Sequence, residues 1–318
     1  MAQLPPAVAA VRVAVRRSLF GLSGTALVAC SGGPDSLALA AATGFVAPRL
    51  GLRAGLVTVD HGLQDGSATR AERVADWART AGFDPVEVAT VSVGAAGGPE
   101  AAARAARYAA LDAAAARHDA TVLLGHTRDD QAETVLLALA RGAGPRGLAG
   151  MPAVRGPYRR PLLDLPRATT VAACRALGLT PWQDPHNTDP TYARSRLRAA
   201  LDDLESLLGK GFRANLARTA GLVAADTELL DAQAAALLST VDKGDGLAVA
   251  ELAAAPRALR TRVLHAYALR LGSPGTDLTA GHVAALDALL TDWHGQGPVY
   301  LPGAITVRRT GSRLVPGR

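Results

Sequence analysis

The sequence predicts an α/β protein: a parallel sheet with helices on both faces, followed by a smaller, mainly helical C-terminal domain. Three observations predict it. Apolar, β-branched runs recur through the first 130 residues, helical patterns separate them, and the pattern turns largely helical beyond a Gly/Pro/Arg-rich connector at 141–163. Near-continuous apolar strands, as opposed to alternating ones, are what a sheet covered on both faces requires.

In chain order, the opening segment MAQLPPAVAAVRVAVRRSLF carries Arg12, Arg16 and Arg17 inside its apolar stretch and has no small-residue cleavage site, which excludes a secretory leader. TALVAC (25–30) is the first strand, and SGGPDS (31–36) turns it into a helix. GLVTVD (55–60), DPVEVATVSV (84–93) and ATVLLGH (120–126) are the next strands. SATRAERVADWARTAG, PEAAARAARYAALDAAAARH and DDQAETVLLALARG are the covering helices. Ligands of such sheets bind beyond the carboxyl ends of the strands, where Ser31, Asp60, His61, His126 and Asp130 all fall. After the connector, helices are expected over RATTVAACRALGL, ARSRLRAALDDLESLL and 211–242, then two helices and short strands in GPVYLPGAITVRRTGSRLVPG. The expected domains are 1–205, a helical linker at 206–245, and 246–318.

Composition excludes several classes. A chain 49% hydrophobic and 19% charged is not disordered. No run approaches the roughly 18 uninterrupted apolar residues of a membrane span, so a cytoplasmic protein without a membrane partner is expected. Cys30 and Cys174 lie far apart with no CxxC, against both a disulfide framework and a zinc knuckle. The net charge of +6 suits an anionic partner: residues 151–220 hold eleven Arg/Lys against six Asp/Glu, and 308–318 four Arg and no acid. Only Lys210 and Lys243 break the run of arginines, a bias that GC-rich coding also produces.

The turn at 31–36 has the makings of an anion site. Gly32 and Gly33 allow backbone N–H groups to converge, and the helix from near Asp35 adds its positive end. The spacing is neither GxxxxGK[ST] nor GxGxxG, which excludes a Walker loop and weakens a dinucleotide fingerprint. A plain steric turn is the alternative, opposed by the polar crowding of Ser31, Asp35 and Ser36.

SGGPDS matches SGGxDS of the PP-loop ATP pyrophosphatase superfamily. VDHGLQDGS (59–67), EAAARAARY (100–108), LGHTRDDQAETVLLALARGAGPRGLAGM (124–151), RPLL (160–163) and WQDPHNTDPTYARSRLR (182–198) follow in an order and spacing that resembles the bacterial tRNA(Ile)-lysidine synthetase family, over roughly 25–200. The resemblance implies an adenine nucleotide α-hydrolase-like fold, cleavage of ATP between its α and β phosphates, and no need for a lysine devoted to the γ-phosphate. It also implies the acceptor, the C2 carbonyl oxygen of the first anticodon cytidine of tRNA(Ile) with a CAU anticodon, and the nucleophile, the ε-amine of L-lysine. The carbonyl oxygen leaves badly and AMP well, so adenylation divides one high barrier into two lower ones. Lysidine, AMP and pyrophosphate are the implied products. Oligomeric state is left open, a homodimer included.

Within that resemblance, Ser31, Gly32, Gly33, Pro34, Asp35, Ser36, Asp60, His61 and His126 are the expected nucleotide contacts. Mg²⁺ on the phosphates calls for carboxylates, and Asp35 and Asp130 are the candidate ligands. Glu133 stands one helical turn after Asp130 and is a candidate to deprotonate the lysine ammonium. Asp129, Asp130 and Glu133 equally suit the N-terminus of a helix, and either histidine equally suits a satisfied structural position. Arg194 is the expected catalytic arginine. Arg104, Arg107, Arg196, Arg198, Arg309 and Arg313 are the expected RNA contacts, with a solvated basic helix or a pairing to Glu100 as plainer roles for those on helices. Trp182 and Tyr192 either stack on a base or pack half-buried. Gln64, Ala143, His186 and Ser195 depart from the family's usual residues. A different acceptor on the same loop (thiolation or amidation), or a binding module without turnover, are the competing expectations; the absence of a CxxC opposes thiolation and the set of acids opposes the module.

Overall fold

A computed structural model describes residues 4–62, 66–92, 94, 98–182 and 193–317, the side chains of 99, 100, 193 and 194 excepted. The chain divides into two compact units, Met1–Val223 and Ala224–Arg318.

The first unit opens with α1 (Pro6–Leu19), whose Val8, Val11, Val15 and Leu19 recur at helical spacing and are buried. The segment that sequence excluded as a leader is thus a core helix. Then come β1 (Thr25–Ala29), α2 (Pro34–Val46), β2 (Arg53–Asp60), α3 (Ser67–Thr80), β3 (Val86–Thr90), α4 (Pro99–His118), β4 (Ala120–Leu124) and α5 (Arg128–Ala140). The short α6 (Pro145–Leu148), β5 (Val154–Arg155) and β6 (Tyr158–Arg159) lead to α7 (Arg167–Ala176), α8 (Ala193–Leu208) and α9 (Phe212–Val241). The division between units falls inside α9.

The strands form one six-stranded sheet in the order β3-β2-β1-β4-β6-β5, parallel throughout except for β5. Alternation along β1 explains the cover on both faces: Ala26 and Val28 join the core under α1, α2 and α7, whereas Leu27 joins Val57, Leu111 and Val122 under α4. β3 and β4 are shorter than the apolar runs that predict them. Their last residues pair with Asp60 and Ala29, the ends of their neighbours, and beyond those no strand remains to pair with. Because β2 lies on one side of β1 and β4 on the other, the chain reverses direction at β1, and that reversal opens a crevice at the carboxyl ends of β1 and β4.

The second unit combines helices with short strands, as its sequence suggests. β7 (Leu247–Ala248), α10 (Val249–Ala254), α11 (Arg257–Arg270), α12 (Ala280–Thr291), β8 (Val299–Leu301), β9 (Ile305–Thr310) and β10 (Arg313–Pro316) include a four-stranded antiparallel sheet, β7-β10-β9-β8. Leu252, Leu264, Leu286, Leu289, Val307 and Leu314 meet in its core. No described helix is long and apolar enough to cross a membrane.

Candidate active site

β1 delivers the chain to a turn whose backbone only glycine tolerates at one place. Gly32 has φ +82°, and a Cβ there would lie 3.0 Å from Val74 Cγ2. Gly33, at φ −71°, is the N-cap of α2 and needs no such freedom. No side chain caps α2, and Pro34 at its first position has no N–H. Amides of the first turn therefore face the crevice without an intrahelical partner, and the positive end of the helix dipole points with them. Ser36 closes the turn: its hydroxyl accepts the Ser31 N–H at 3.2 Å and donates to the Gly33 carbonyl at 3.0 Å. Trp182 joins from the far side, its backbone N–H on the Gly32 carbonyl at 2.9 Å and its ring 3.7 Å from the Arg70 guanidinium.

The crevice is a cavity of about 550 Å³ whose walls include Ser31, Asp35, Asp60, His126, Asp130 and Arg167. Thr127 begins α5 with a capping box. Asp130 Oδ2 accepts its backbone N–H at 2.7 Å and its hydroxyl at 2.9 Å. The capping role and a role in the cavity thus fall on one side chain, because Oδ1 is left to face Arg167 Nη2 at 2.6 Å. Arg167 Nε reaches Asp35 Oδ2 at 3.1 Å, and its Nη1 stands 3.7 Å from Glu133 Oε1. Arg198 completes the cluster, with Nε 2.7 Å from Glu133 Oε1 and Nη2 3.7 Å from Asp130 Oδ1. Thr170 donates its hydroxyl to Asp35 Oδ1. Asp129 turns away: it accepts the Arg167 backbone N–H at 2.8 Å and so caps α7.

Burial and pairing divide these acids. Burial pushes Asp35 up and outweighs Arg167 and Thr170. It also pushes Glu133 up, against Arg198. At Asp130 burial pulls the same way, but Arg167 and the Thr127 N–H win and hold it below the usual carboxylate range. Close approach keeps the cluster and the turn together. A Cβ on Gly125, just past β4, would sit 3.0 Å from Ser36 N and 3.1 Å from the Asp35 carbonyl carbon.

The opposite wall is basic and aromatic. Burial pulls His126 down to about 4, with Asp130 opposing and Arg160, Arg107 and Arg104 assisting. Burial, then Arg107, also lowers His61. Both rings are therefore neutral near pH 7, and both present a buried Nδ1 with no hydrogen-bond partner. Burial raises Tyr108, yet Arg104, Arg160 and Arg107 together bring its hydroxyl below the ordinary value. Asp60 accepts the Gly62 N–H at 3.0 Å, and a Ser67 hydrogen bond, followed by that N–H, lowers its carboxyl.

Sequence reasoning gathered Ser31 to Ser36, Asp60, His61, His126 and Asp130, and these meet at the cavity, except Gly32, which shapes the turn without lining it. Glu133 lies one turn behind Asp130 and is only 4% exposed. The expected RNA contacts part company. Arg196 is exposed, as is Arg104, which lies over Tyr108; Arg107 lines the cavity. Arg198 turns into the acidic cluster because its face of α8 packs on α5. Arg309 donates to the Leu289 carbonyl at 3.0 Å, on the last turn of α12, and Arg313 pairs with Asp245 at 3.1 Å. Gln64, His186 and Tyr192, and the side chains of Glu100 and Arg194, lie outside the described residues. Ala143 packs in the tight turn before α6, within 2.6 Å of where a Cβ on Gly147 would stand.

Arg167, Thr170, Gly125 and Arg70 went unremarked in the sequence. Arg167 alone carries a signal: it occupies the first position of α7, where the helix dipole disfavours a cation, so something else must hold it there. For Mg²⁺, the donor set is a pair. Among the described residues no group of three or more His, Cys, Asp or Glu is placed to hold a metal. Asp35 and Asp130 converge on one cationic group at the cavity wall and keep lone pairs to spare, which fits an ion that takes its other ligands from phosphate and water.

Comparison with known proteins bears on the family and the fold. The PP-loop domain family matches residues 17–204, and the TilS substrate binding domain family matches 247–315. The tRNA(Ile)-lysidine synthase of Salinispora arenicola is 61% identical over 324 residues, covering 99% of this chain and 97% of that protein. That of Thermobifida fusca is 59% identical over 316 residues, 98% of each chain. Among solved structures, the U34-tRNA thiolase NcsA from Methanococcus maripaludis with its [4Fe-4S] cluster aligns with a TM-score of 0.56 at 18% identity, over 68% of this chain and 80% of that one. That likeness shows the shared fold.

Proposed function

Since the chain belongs to the tRNA(Ile)-lysidine synthase family, an ATP-using enzyme family that joins lysine to tRNA, we propose that it works through a cytidine adenylate assembled in the cavity between β1 and β4. The observation that carries this is the uncapped N-terminus of α2 opening on the same cavity as Asp35, Asp130 and Arg167. Unpaired amides at one wall suit the departing pyrophosphate, and the paired acids suit cations.

In the first step the O2 oxygen of the wobble cytidine forms a bond to the α-phosphorus of ATP, the bond to the bridging oxygen breaks, and pyrophosphate leaves towards the turn at 31–36. In the second, the ε-amine of L-lysine bonds to C2 and the C2–O bond breaks, releasing AMP. The ammonium must lose a proton before it attacks. Glu133, raised by burial, is the base suited to take it. Asp35 and Asp130 would hold Mg²⁺, which when bound supplies neutralisation of phosphate charge. His61 and His126, neutral and with Nδ1 unpaired, offer hydrogen bonds to nucleotide or base. Arg194 is assigned to the phosphate and Arg196 and Arg104 to the RNA backbone, while residues 246–318 hold the body of the tRNA. Thiolation through a cluster is disfavoured, because the chain has two cysteines in all and both are buried.

Incubation of the protein with tRNA(Ile), ATP and labelled L-lysine tests the assignment. Label bound covalently to the RNA is expected. Its absence, with the tRNA and ATP otherwise competent, would overturn it.

A further inference from the structure

Arg167 stands where the reaction needs other cations. Its three guanidinium nitrogens face three acids: Nε meets Asp35 at 3.1 Å, Nη2 meets Asp130 at 2.6 Å, and Nη1 lies 3.7 Å from Glu133. With Arg198 on Asp130 and Glu133, three carboxylates meet two guanidinia and the cluster has a single negative charge to spare. A lysine brings two ammonium groups. The spare charge admits one ammonium, but Asp130 Oδ2 is taken by Thr127 and Oδ1 by Arg167, and Glu133 Oε1 faces both arginines, so a further cation reaches these oxygens only where a guanidinium leaves.

Two features make Arg167 the one that moves. It occupies the first position of α7, where the helix dipole repels a cation, so the acids alone hold its head in place. It also lines the cavity, and through Asp35, in the first turn of α2, it already touches the edge of the phosphate turn.

We propose that Arg167 is the resident counter-ion of the acidic cluster and makes uptake of lysine conditional on ATP: the triphosphate draws its guanidinium away, and Glu133 then accepts the ammonium of the amino acid. This rests on the ligase reading of the site. Arg167 is a positioning residue here. It keeps lysine out of a site that holds no ATP, and it prevents bare carboxylates from standing unpaired in a buried wall.

The test is calorimetric titration of the full chain with L-lysine, with and without α,β-methylene-ATP, which cannot be cleaved between the α and β phosphates. Wild type should bind lysine on the order of tenfold more tightly when the analogue is present. Arg167→Gln should bind lysine with the same affinity in both states, at or above the ATP-free affinity of wild type. Arg167→Lys keeps the charge without the planar fork and should retain part of the coupling. A wild-type affinity indifferent to the analogue overturns the proposal. So does full coupling in Arg167→Gln, which would leave Arg167 a fixed clamp between α7, α2 and α5. Should the glutamine variant fail to fold, the wild-type and lysine arms still decide. Lysine attached to tRNA without any coupling removes only this proposal, whereas no lysine binding and no lysine attachment removes the ligase reading with it.

Discussion

Replacing Asp130 by asparagine and, separately, Asp35 by asparagine should move stability by unequal amounts. The ionised form of Asp130 is favoured on folding, because Arg167 and the Thr127 N–H outweigh burial. Its folded pKa lies below the unfolded one, so its charge supports the fold above the unfolded pKa, and that support is lost as pH falls through the folded value. Asp130→Asn keeps an acceptor for the Thr127 N–H but loses the charge 2.6 Å from Arg167, at a side chain 18% exposed. Removing one partner of a fully buried pair costs about 3–5 kcal/mol. Arg167 keeps Asp35 and Glu133, which brings the loss nearer to about 2 kcal/mol, or a fall of roughly 4–8 °C in Tm for a unit of this size. For Asp35 the sign reverses. Burial raises its pKa above the unfolded value, so its charge opposes folding at neutral pH, and in Asp35→Asn the amide oxygen still accepts from the Thr170 hydroxyl. The stability of that variant should stay within about 1 kcal/mol of wild type. Thermal unfolding by circular dichroism at pH 7.5 reads both, and both variants should lose lysine incorporation. An Asp35→Asn melting as far below wild type as Asp130→Asn would refute the division between burial and pairing.

The other expectations concern the turn, the pH profile and the second unit. Gly125→Ala places a methyl 3.0 Å from Ser36 N, and the overpacking of about 1–3 kcal/mol should lower Tm and raise the KM for ATP; wild-type values of both would contradict the contact. On acidification the turnover should fall at a pH above the ordinary carboxylate range, because Asp35 and Glu133 are both raised. Single-turnover rates that hold unchanged down into the ordinary carboxylate range would contradict this. In β9, Arg308 is exposed whereas Arg309 caps α12, so Arg308→Ala should weaken tRNA binding and reduce its salt slope by about one. Arg309→Ala should instead destabilise the second unit by about 1 kcal/mol and leave the slope unchanged; binding measured across a salt series distinguishes them.

What the sequence disclosed follows from how local each signal is. β1, β2 and β4 were legible because a strand buried on both faces is apolar at most positions, and α8 was legible to the residue. The turn at 31–36 was legible because its glycine, proline and polar groups are contiguous. Arg167 was not, since its partners lie 34 to 132 positions away and only the closed fold brings α7 against α2 and α5. Gly125 was hidden for the same reason: nothing local says that Ser36 will pass within van der Waals contact. Helical spacing grouped Arg194 with Arg198 without telling which neighbour Arg198 would meet, and that neighbour is the acidic cluster. At 308–309 the strand was visible, but which of two successive arginines points inward depends on the side that α12 covers.

The central claim is that the cytidine oxygen itself receives AMP. Supplying tRNA whose wobble cytidine carries ¹⁸O at C2, together with ATP and lysine, and weighing the released nucleotide by mass spectrometry tests it most directly. The heavy atom should appear in AMP, one per lysine attached. Heavy oxygen retained in the RNA or appearing in pyrophosphate, or ADP as the nucleotide product, would contradict the account.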